Sequence, residues 1–411
     1  MKEEPMAGAP RTLRAVEPDR FDFFDWRRYS FSLGVTDGVD VWLSGHSASR
    51  FDEGSGHIVV SGGMAEQARV AWEKVLCLLE AAGLGAADVV HVVENVTPHG
   101  LAAYAEAAAA RDEVLGSTRA AVSTVVVRSL LRPDALIEVE VSARAGGGTG
   151  SLPTSDGLPP SAAGHLSWAE AGGLVHLGTL LPVGSDGEVI APGDLVAQTE
   201  AVFSKAARVL GQLGLGPSSI VKTVDFTMPS TRREYPKTGA IRRSFLGPVY
   251  PASAGILMPA LGREGCLVAL EALAARGEPV AVNPGWSRYD RLTYTPAVRV
   301  GNLLLCSGQA ALDPETEEAV CPGDVAAQAD WAYASLLRVL QAAGAGPEAL
   351  VRTVEYVTPE GLSGYRSVAD VRRARLVAPW PASTGIVCEG LLRREFLIEV
   401  DATAVLPEMA A

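Results

Sequence analysis

The chain is poor in cysteine, histidine and lysine, and each shortage excludes something. Five cysteines (Cys77, Cys266, Cys306, Cys321 and Cys388) are scattered over 411 residues without a CxxC pair. So sparse and odd a set excludes a disulfide-stapled scaffold and points to reduced thiols in a cytoplasmic setting. The six histidines show no HExxH or comparable spacing, so neither a metal site nor a cofactor is expected. No apolar run reaches the roughly 18–20 residues of a bilayer-spanning helix, so no membrane role is expected. The N-terminal MKEEPMAGAPRTLRAVEPDR lacks the apolar centre of a signal peptide. Only 5 of the 35 basic residues are lysine, an arginine bias that fits a GC-rich, bacterial genome. The net charge of −13 argues against nucleic acid as a partner, because duplex binding needs a basic face.

What the chain has is a threefold repeat. VVHVVENVTPHG (89–100), IVKTVDFTMPST (220–231) and LVRTVEYVTPEG (350–361) align without gaps. Glu94, Asp225 and Glu355 coincide, as do Tyr104, Tyr235 and Tyr365, and upstream Gln67, Gln198 and Gln328. AVST, PASA and PAST align Ser123, Ser253 and Ser383. A period near 130 residues is domain-sized, far longer than a solenoid repeat. The expected domains are 1–150, with an N-terminal extension, 151–278 and 279–411. The joints are GGGTGSLPTSDGLPPSAAG (146–164), whose composition bars a helix or a central strand, and ARGEPVAVNPGWSR (275–288).

Each copy reads as an opening hairpin, a long helix, a buried strand, a second helix carrying the tyrosine, and two closing strands. In the first long helix Ala68, Trp72, Val75, Leu79 and Ala82 recur at three-to-four spacing, an apolar stripe. Gly83, Gly214 and Gly344 stand where a left-handed cap would end each helix. In the third copy the turn around DPETEE is expected to lead into a short strand reaching Val320. The order β-β-α-β-α-β-β is an α+β unit with helices on one face of a mixed sheet.

This pattern resembles the RidA/YjgF family of enamine/imine deaminases. The third copy carries the resemblance most clearly, in YTPAVRVGNLLLCSGQ (294–309), PGDVAAQADWAYASLLRVLQAAG (322–344) and PASTGIVCEGLLRREFLIEVDATA (381–404). The other copies match more loosely, and together the three span about residues 26–406. The resemblance implies three tandem chorismate-mutase-like (RidA) domains forming an intramolecular pseudo-trimer around a central β-barrel, monomeric or paired into a dimer, with sites in the clefts between domains. It implies a small-molecule substrate and imine hydrolysis by a carboxylate-clamping arginine, a water-activating glutamate, a tyrosine and a backbone N–H beside an SG pair.

Carried over residue by residue, the glutamate is Glu399 in the third copy and Glu138 in the first, but Ala269 in the second. The tyrosine is Tyr294 and, more loosely, Tyr29. The SG pair is Ser307-Gly308 and Ser44-Gly45, followed in the first copy by His46; the second copy has Leu177-Gly178 there. The arginine is replaced by Ser383, Ser253 and Ser123. A hydrogen bond to a charged group contributes roughly 1.5–3 kcal/mol, so losing the arginine points to a bulkier, less anionic substrate. Glu399, Glu138, Tyr294 and Tyr29 are therefore the catalytic candidates. Ser383, Ser123, Ser307, Gly308, Ser44, Gly45 and His46 are the substrate-binding candidates. The second copy is expected to supply walls. The reaction is hydrolytic deamination, or a tautomerisation or cyclisation in specialised metabolism. Chorismate hydrolysis is a more distant alternative, and a non-catalytic binding or scaffold role is the alternative of another class.

Several features have two readings. Glu94, Asp225 and Glu355 are acid/base groups or, preferably, structural carboxylates paired with arginine or backbone N–H. Glu140 and Asp401 share a strand face with Glu138 and Glu399, and one of each pair is expected to be structural. The stretch 230–243, with Arg232, Arg233, Lys237, Arg242 and Arg243, is an anion grip or a solvated surface. Cys306 and Cys388 have no activating histidine nearby and read as buried thiols.

Overall fold

A computed structural model describes residues 12–151 and 167–407. Most of the first expected joint lies outside the described residues. Its beginning, Thr149–Ser151, is an edge strand on Trp168–Ala171, which leaves the exclusion of a central strand intact. The N-terminal segment wraps: Arg14–Ala15 pair with Gly34–Thr36, and Phe21 and Trp26 are buried.

Three long helices, Met64–Ala81, Leu195–Gln212 and Val325–Ala342, stand at the expected places. Asp194 and Asp324 cap the second and third by accepting backbone N–H bonds; Gly63 begins the first without such a cap. Gly83, Gly214 and Gly344 take φ of 78°, 72° and 79°, and the next residue's N–H bonds back to Leu79, Leu210 or Leu340, completing the left-handed cap. The repeated glutamines bind each helix to the loop before the closing strand. The Gln328 side chain accepts from Leu397 N at 2.7 Å and donates to Glu395 O at 2.7 Å, and Gln67 and Gln198 do likewise.

In each of three large sheets a buried eight-residue strand (Val89–Val96, Ile220–Thr227, Leu350–Val357) occupies the same place. On one side it pairs antiparallel with the closing strand (Ile137–Arg144, Val268–Ala275, Ile398–Val405). On the other it pairs parallel with Ala121–Val126, Ala252–Leu257 or Ala382–Val387, a pairing that needs the crossover supplied by the second helical segment. Beyond the DPETEE turn only an isolated Leu312–Ala319 bridge forms, not the expected strand.

The sheets lend each other edges. Gly390–Leu391 joins Ala252–Leu257, and Ser129–Leu130 joins Ala382–Val387. They nevertheless remain three open sheets, which corrects the expected central barrel: a barrel needs one unbroken hydrogen-bond ladder around the ring. The helix-free faces meet through side chains, with Val93, Val224, Val354, Phe226, Ile256 and Ile386 in one buried cluster. Each such aliphatic side chain contributes about 1.5–3 kcal/mol on burial.

The repeated carboxylates are structural. Glu94 accepts from Arg111 at 2.8 Å and from the Tyr104 hydroxyl at 2.5 Å. Asp225 takes Arg242 and Tyr235 in the same way, and Glu355 takes Arg372, Tyr365 and Tyr333. The tyrosines are thus hydrogen-bonded partners rather than simple packing. The arginines Arg111, Arg242 and Arg372 follow the same period, which sequence reading passed over because the basic stretch at 230–243 was weighed as a whole.

A candidate active site between the second and third sheets

Strand alternation places both carboxylates of each closing strand on its helix-free side. The second member is structural each time it is charged and paired: Glu140 holds Arg352, and Asp401 holds Lys222. The first members, Glu138 and Glu399, make no hydrogen bond to another described residue. Each lies across a glycine. A Cβ on Gly308 would stand 2.0 Å from Glu399 Oε1, and one on Gly45 2.3 Å from Glu138 Oε1, so any larger residue would displace the acid.

Glu399 faces a cavity of about 460 Å³ between the second and third sheets. Trp286, Tyr289, Tyr294 and Phe396 form aromatic walls, and Ser253, Ser335 and Gln309 add polar groups. The second copy supplies Tyr235, Pro236, Arg243 and Ser253, the wall role expected of it. Burial, then the charge of Asp401, push the Glu399 carboxyl up to about 8 against the pull of Lys222. Burial likewise raises the Tyr294 hydroxyl, against the neighbouring Arg288. Arg288, Arg243 and Arg393 line the same cavity, and Arg288 Nε is buried without a hydrogen bond to a described residue, 4.0 Å from Glu317 Oε2. The site therefore has cations although the signature arginine is gone. Sequence reading missed Arg288 and Ser335 because neither belongs to the family pattern.

The basic stretch of the second copy is divided by the fold. Arg242 is locked in its carboxylate pair, Arg243 reaches the cavity, and Arg233 and Lys237 are exposed. Arg232 is half-buried, and its Nε lacks a hydrogen bond to a described residue.

The candidate residues regroup across the joints. Ser383 belongs with Glu138 rather than Glu399: its N–H donates to Ser44 Oγ at 2.8 Å. Beside Glu399 the equivalent bond is Ser253 N–H to Ser307 Oγ, also 2.8 Å. Ser44 and Ser307 are clamps, because each also donates to a backbone carbonyl, Ser32 O at 2.6 Å and Thr295 O at 2.5 Å. The N–H of Gly308 goes to Ser253 O at 3.1 Å and that of Gly45 to Thr384 Oγ1 at 2.9 Å, so both are engaged.

Three alignments shift. Glu94 pairs across from Thr124, whereas Asp225 and Glu355 stand across from Gly255 and Gly385. Val122, not Ser123, is therefore the counterpart of Ser253 and Ser383. Ser123 faces the other way and meets His91 Nε2 at 3.1 Å. Gly34 opposite Leu43 matches Ala297 opposite Cys306, so Phe31 is the counterpart of Tyr294. Tyr29 instead stacks on Phe31 at 5.2 Å. Leu180 opposite Leu270 matches Gln309 opposite Val400, which makes Gly178-Thr179 the second copy's counterpart of the SG pair. In each case one or two residues differ in a turn, and ladder register records what gapless alignment hides.

Around Glu138 the surroundings differ. Lys74, fully buried, corresponds to Ser335 and donates to Ser47 O and Ser49 O, at 2.7 and 2.5 Å. Its ammonium lies 5.0 Å from the Phe23 ring and 5.1 Å from the Phe24 ring. Burial, then Glu140, raise Glu138 to about 8, opposed by Lys74. His46 is buried against Leu33 O at 3.2 Å; burial, then Lys74, lower it to about 3, which makes it a packed neutral ring and not a base. Cys306 and Cys388 are buried thiols pushed up to about 12 by burial.

Three open α+β sheets with acids on glycine at their junctions match known proteins. The model of the family described as endoribonuclease L-PSP matches residues 27–145 and 289–406, bracketing the middle sheet. The chain belongs to this family, the RidA/YjgF family. A RutC family protein of Synechocystis is 30% identical over 114 residues, covering 28% of this chain and 86% of that protein. The 2-iminobutanoate/2-iminopropanoate deaminase of Escherichia coli is 29% identical over 136 residues, 32% of this chain and 95% of that enzyme. A chorismatase crystal structure is 15% identical, covers 78% of this chain and 93% of its own, and has a TM-score of 0.54, a likeness of fold. Among the described residues no helix is long and apolar enough to cross a membrane.

Proposed function

We propose that this is a RidA-type small-molecule enzyme whose working site is the cleft beside Glu399. The observation that carries this reading is a carboxyl without a hydrogen-bonding partner among the described residues, poised near neutral pH, facing a cavity of about 460 Å³. In this reading the middle sheet is a third, diverged RidA domain, and domains 1–150, 151–278 and 279–411 form an intramolecular pseudo-trimer.

The substrate is an imine, enamine or related carbonyl intermediate. In hydrolysis, protonated Glu399 gives its proton to the imine nitrogen, and the resulting carboxylate takes a proton from the water that attacks the carbon. The carbinolamine then expels ammonia and leaves a carbonyl. The same acid could move a proton between carbon and nitrogen in a tautomerisation. Tyr294 and Ser253 orient the substrate, and the aromatic walls favour a bulky, unsaturated one. Arg288, with Arg243 and Arg393, supplies the anion grip that the missing arginine seemed to remove. Endoribonuclease action, the word in the family's description, is disfavoured by the net charge of −13.

The test follows ammonia and carbonyl release from imines generated in situ by amino-acid oxidases, with small and bulky, neutral and acidic side chains. Turnover of bulky or acidic imines is expected. If none turns over, the alternative of a binding or scaffold protein takes its place.

A further inference from the structure

We propose that a second cavity, where the three sheets converge, binds a compact oxyanion, a carboxylate or a phosphate. This cavity measures about 360 Å³ and shares no lining residue with the cleft beside Glu399. Turns of the three opening hairpins wall it, with Gly172 and Gly301 exposed at the rim.

Its floor carries a broken symmetry. His91, Lys222 and Arg352 occupy one register position, opposite Ala121, Ala252 and Ala382. Arg352 and Lys222 each pair with an acid of another sheet, Glu140 and Asp401. The third position has no such ion pair among the described residues. His91 bonds Ser123 Oγ at 3.1 Å and lies against His176, ring centres 5.0 Å apart and planes tilted by 30°. Glu271, the third acid, has its carboxyl raised by burial despite a hydrogen bond from Ser123. The hydroxyl of Tyr356 lines the cavity and makes no hydrogen bond to a described residue. Two imidazoles, a phenol, a guanidinium and an ammonium thus converge on one space.

The charges facing the imidazoles favour an anion. Burial lowers both His91 and His176; the Arg352 charge lowers His91 further, and His91 followed by Arg352 lowers His176 further. Two acids line the floor of the cavity: Asp401 is engaged by Lys222, and the Glu271 carboxyl is raised by burial, while Arg352 is engaged by Glu140. At the rim Asp40 is paired with Arg144, and Asp37 accepts the backbone N–H groups of its own turn. A bound oxyanion opposes the field of Arg352, so binding takes up protons on the imidazoles and tightens as pH falls.

The experiment follows the imidazole nitrogens of His91 and His176 by NMR in the full chain, titrated with inorganic phosphate, acetate and chloride at matched ionic strength. A saturable change with phosphate or acetate but not chloride is expected, tighter at pH 6 than at pH 8, and whichever anion binds identifies the chemistry. His176→Leu, which installs the residue the third sheet has in Leu305, is expected to weaken binding about tenfold or more. Tyr356→Phe is expected to weaken it less, and Arg288→Ala to leave it unchanged. No saturable change, an equal response to chloride, or binding indifferent to both His176→Leu and Tyr356→Phe would overturn the proposal.

Discussion

Glu399 and Glu138 occupy the same strand position, lie across equivalent glycines and are both raised to about 8, yet only Glu399 lines one of the two cavities described. The difference lies in what surrounds them. Where the third copy has Ser335, the first has Lys74, a long side chain turned inward onto Ser47 and Ser49. Where the third has Tyr294, the first has Phe31. Where Trp286, Arg288 and Tyr289 wall the open cleft, Phe23 and Phe24 cover the lysine. At the third junction Ala269 and Val122 stand where the other two have an acid and a serine. A duplicated domain can thus keep its fold, its clamps and even its acid while changing whether a substrate can reach it.

The comparison can be broken by transplanting the lysine. Ser335→Lys should fill the open cleft and reduce turnover about a hundredfold or more while the far-UV circular dichroism stays native; undiminished turnover would mean that this cleft is not the working one. Arg288→Ala should raise KM for acidic imines about tenfold with little change for neutral ones, since a charged hydrogen bond is worth roughly 1.5–3 kcal/mol. Equal effects on both would remove the anion grip. Tyr294→Phe should lower kcat several-fold, about 1 kcal/mol for a single neutral hydrogen bond, and should bring the open cleft closer to the first copy's Phe31.

Stability should change as well. The folded Glu399 carboxyl, near 8, holds its proton more tightly than the unfolded one, near 4.5. Its contribution is complete below about pH 4.5 and is lost as pH rises to 8, because the folded state must then release a proton it favours. Glu399→Gln should therefore be more stable than wild type at pH 9, by up to roughly 5 kcal/mol, and within about 1 kcal/mol of it at pH 5. Denaturant titrations at the two pH values read this directly, and parallel curves would place the acid in a wetter setting.

Much of this was legible in the chain because helix stripes, glycine caps and the 130-residue period are local signals that survive divergence. Glu399, Tyr294 and Gly308 could be grouped from the chain because the third copy keeps the family pattern, and they line one cavity. Ser123 and Tyr29 were misplaced because a one- or two-residue change in a turn leaves composition untouched but moves a side chain to another place on the sheet. That Ser383 lies with Glu138 was not legible, because sequence order does not say which neighbouring sheet a strand will face. Arg288, Ser335 and Lys74 were invisible as site residues, since their meaning comes only from the cavity they line or fill.

The most direct measurement is ammonia release by Glu399→Gln and Glu138→Gln, run beside the wild type on the best imine. The account predicts that Glu399→Gln loses about 10²–10⁴-fold in kcat, the usual range for an acid/base group, and that Glu138→Gln stays within about twofold. Loss in Glu138→Gln with Glu399→Gln intact would contradict it and move the chemistry to the cleft that Lys74 fills.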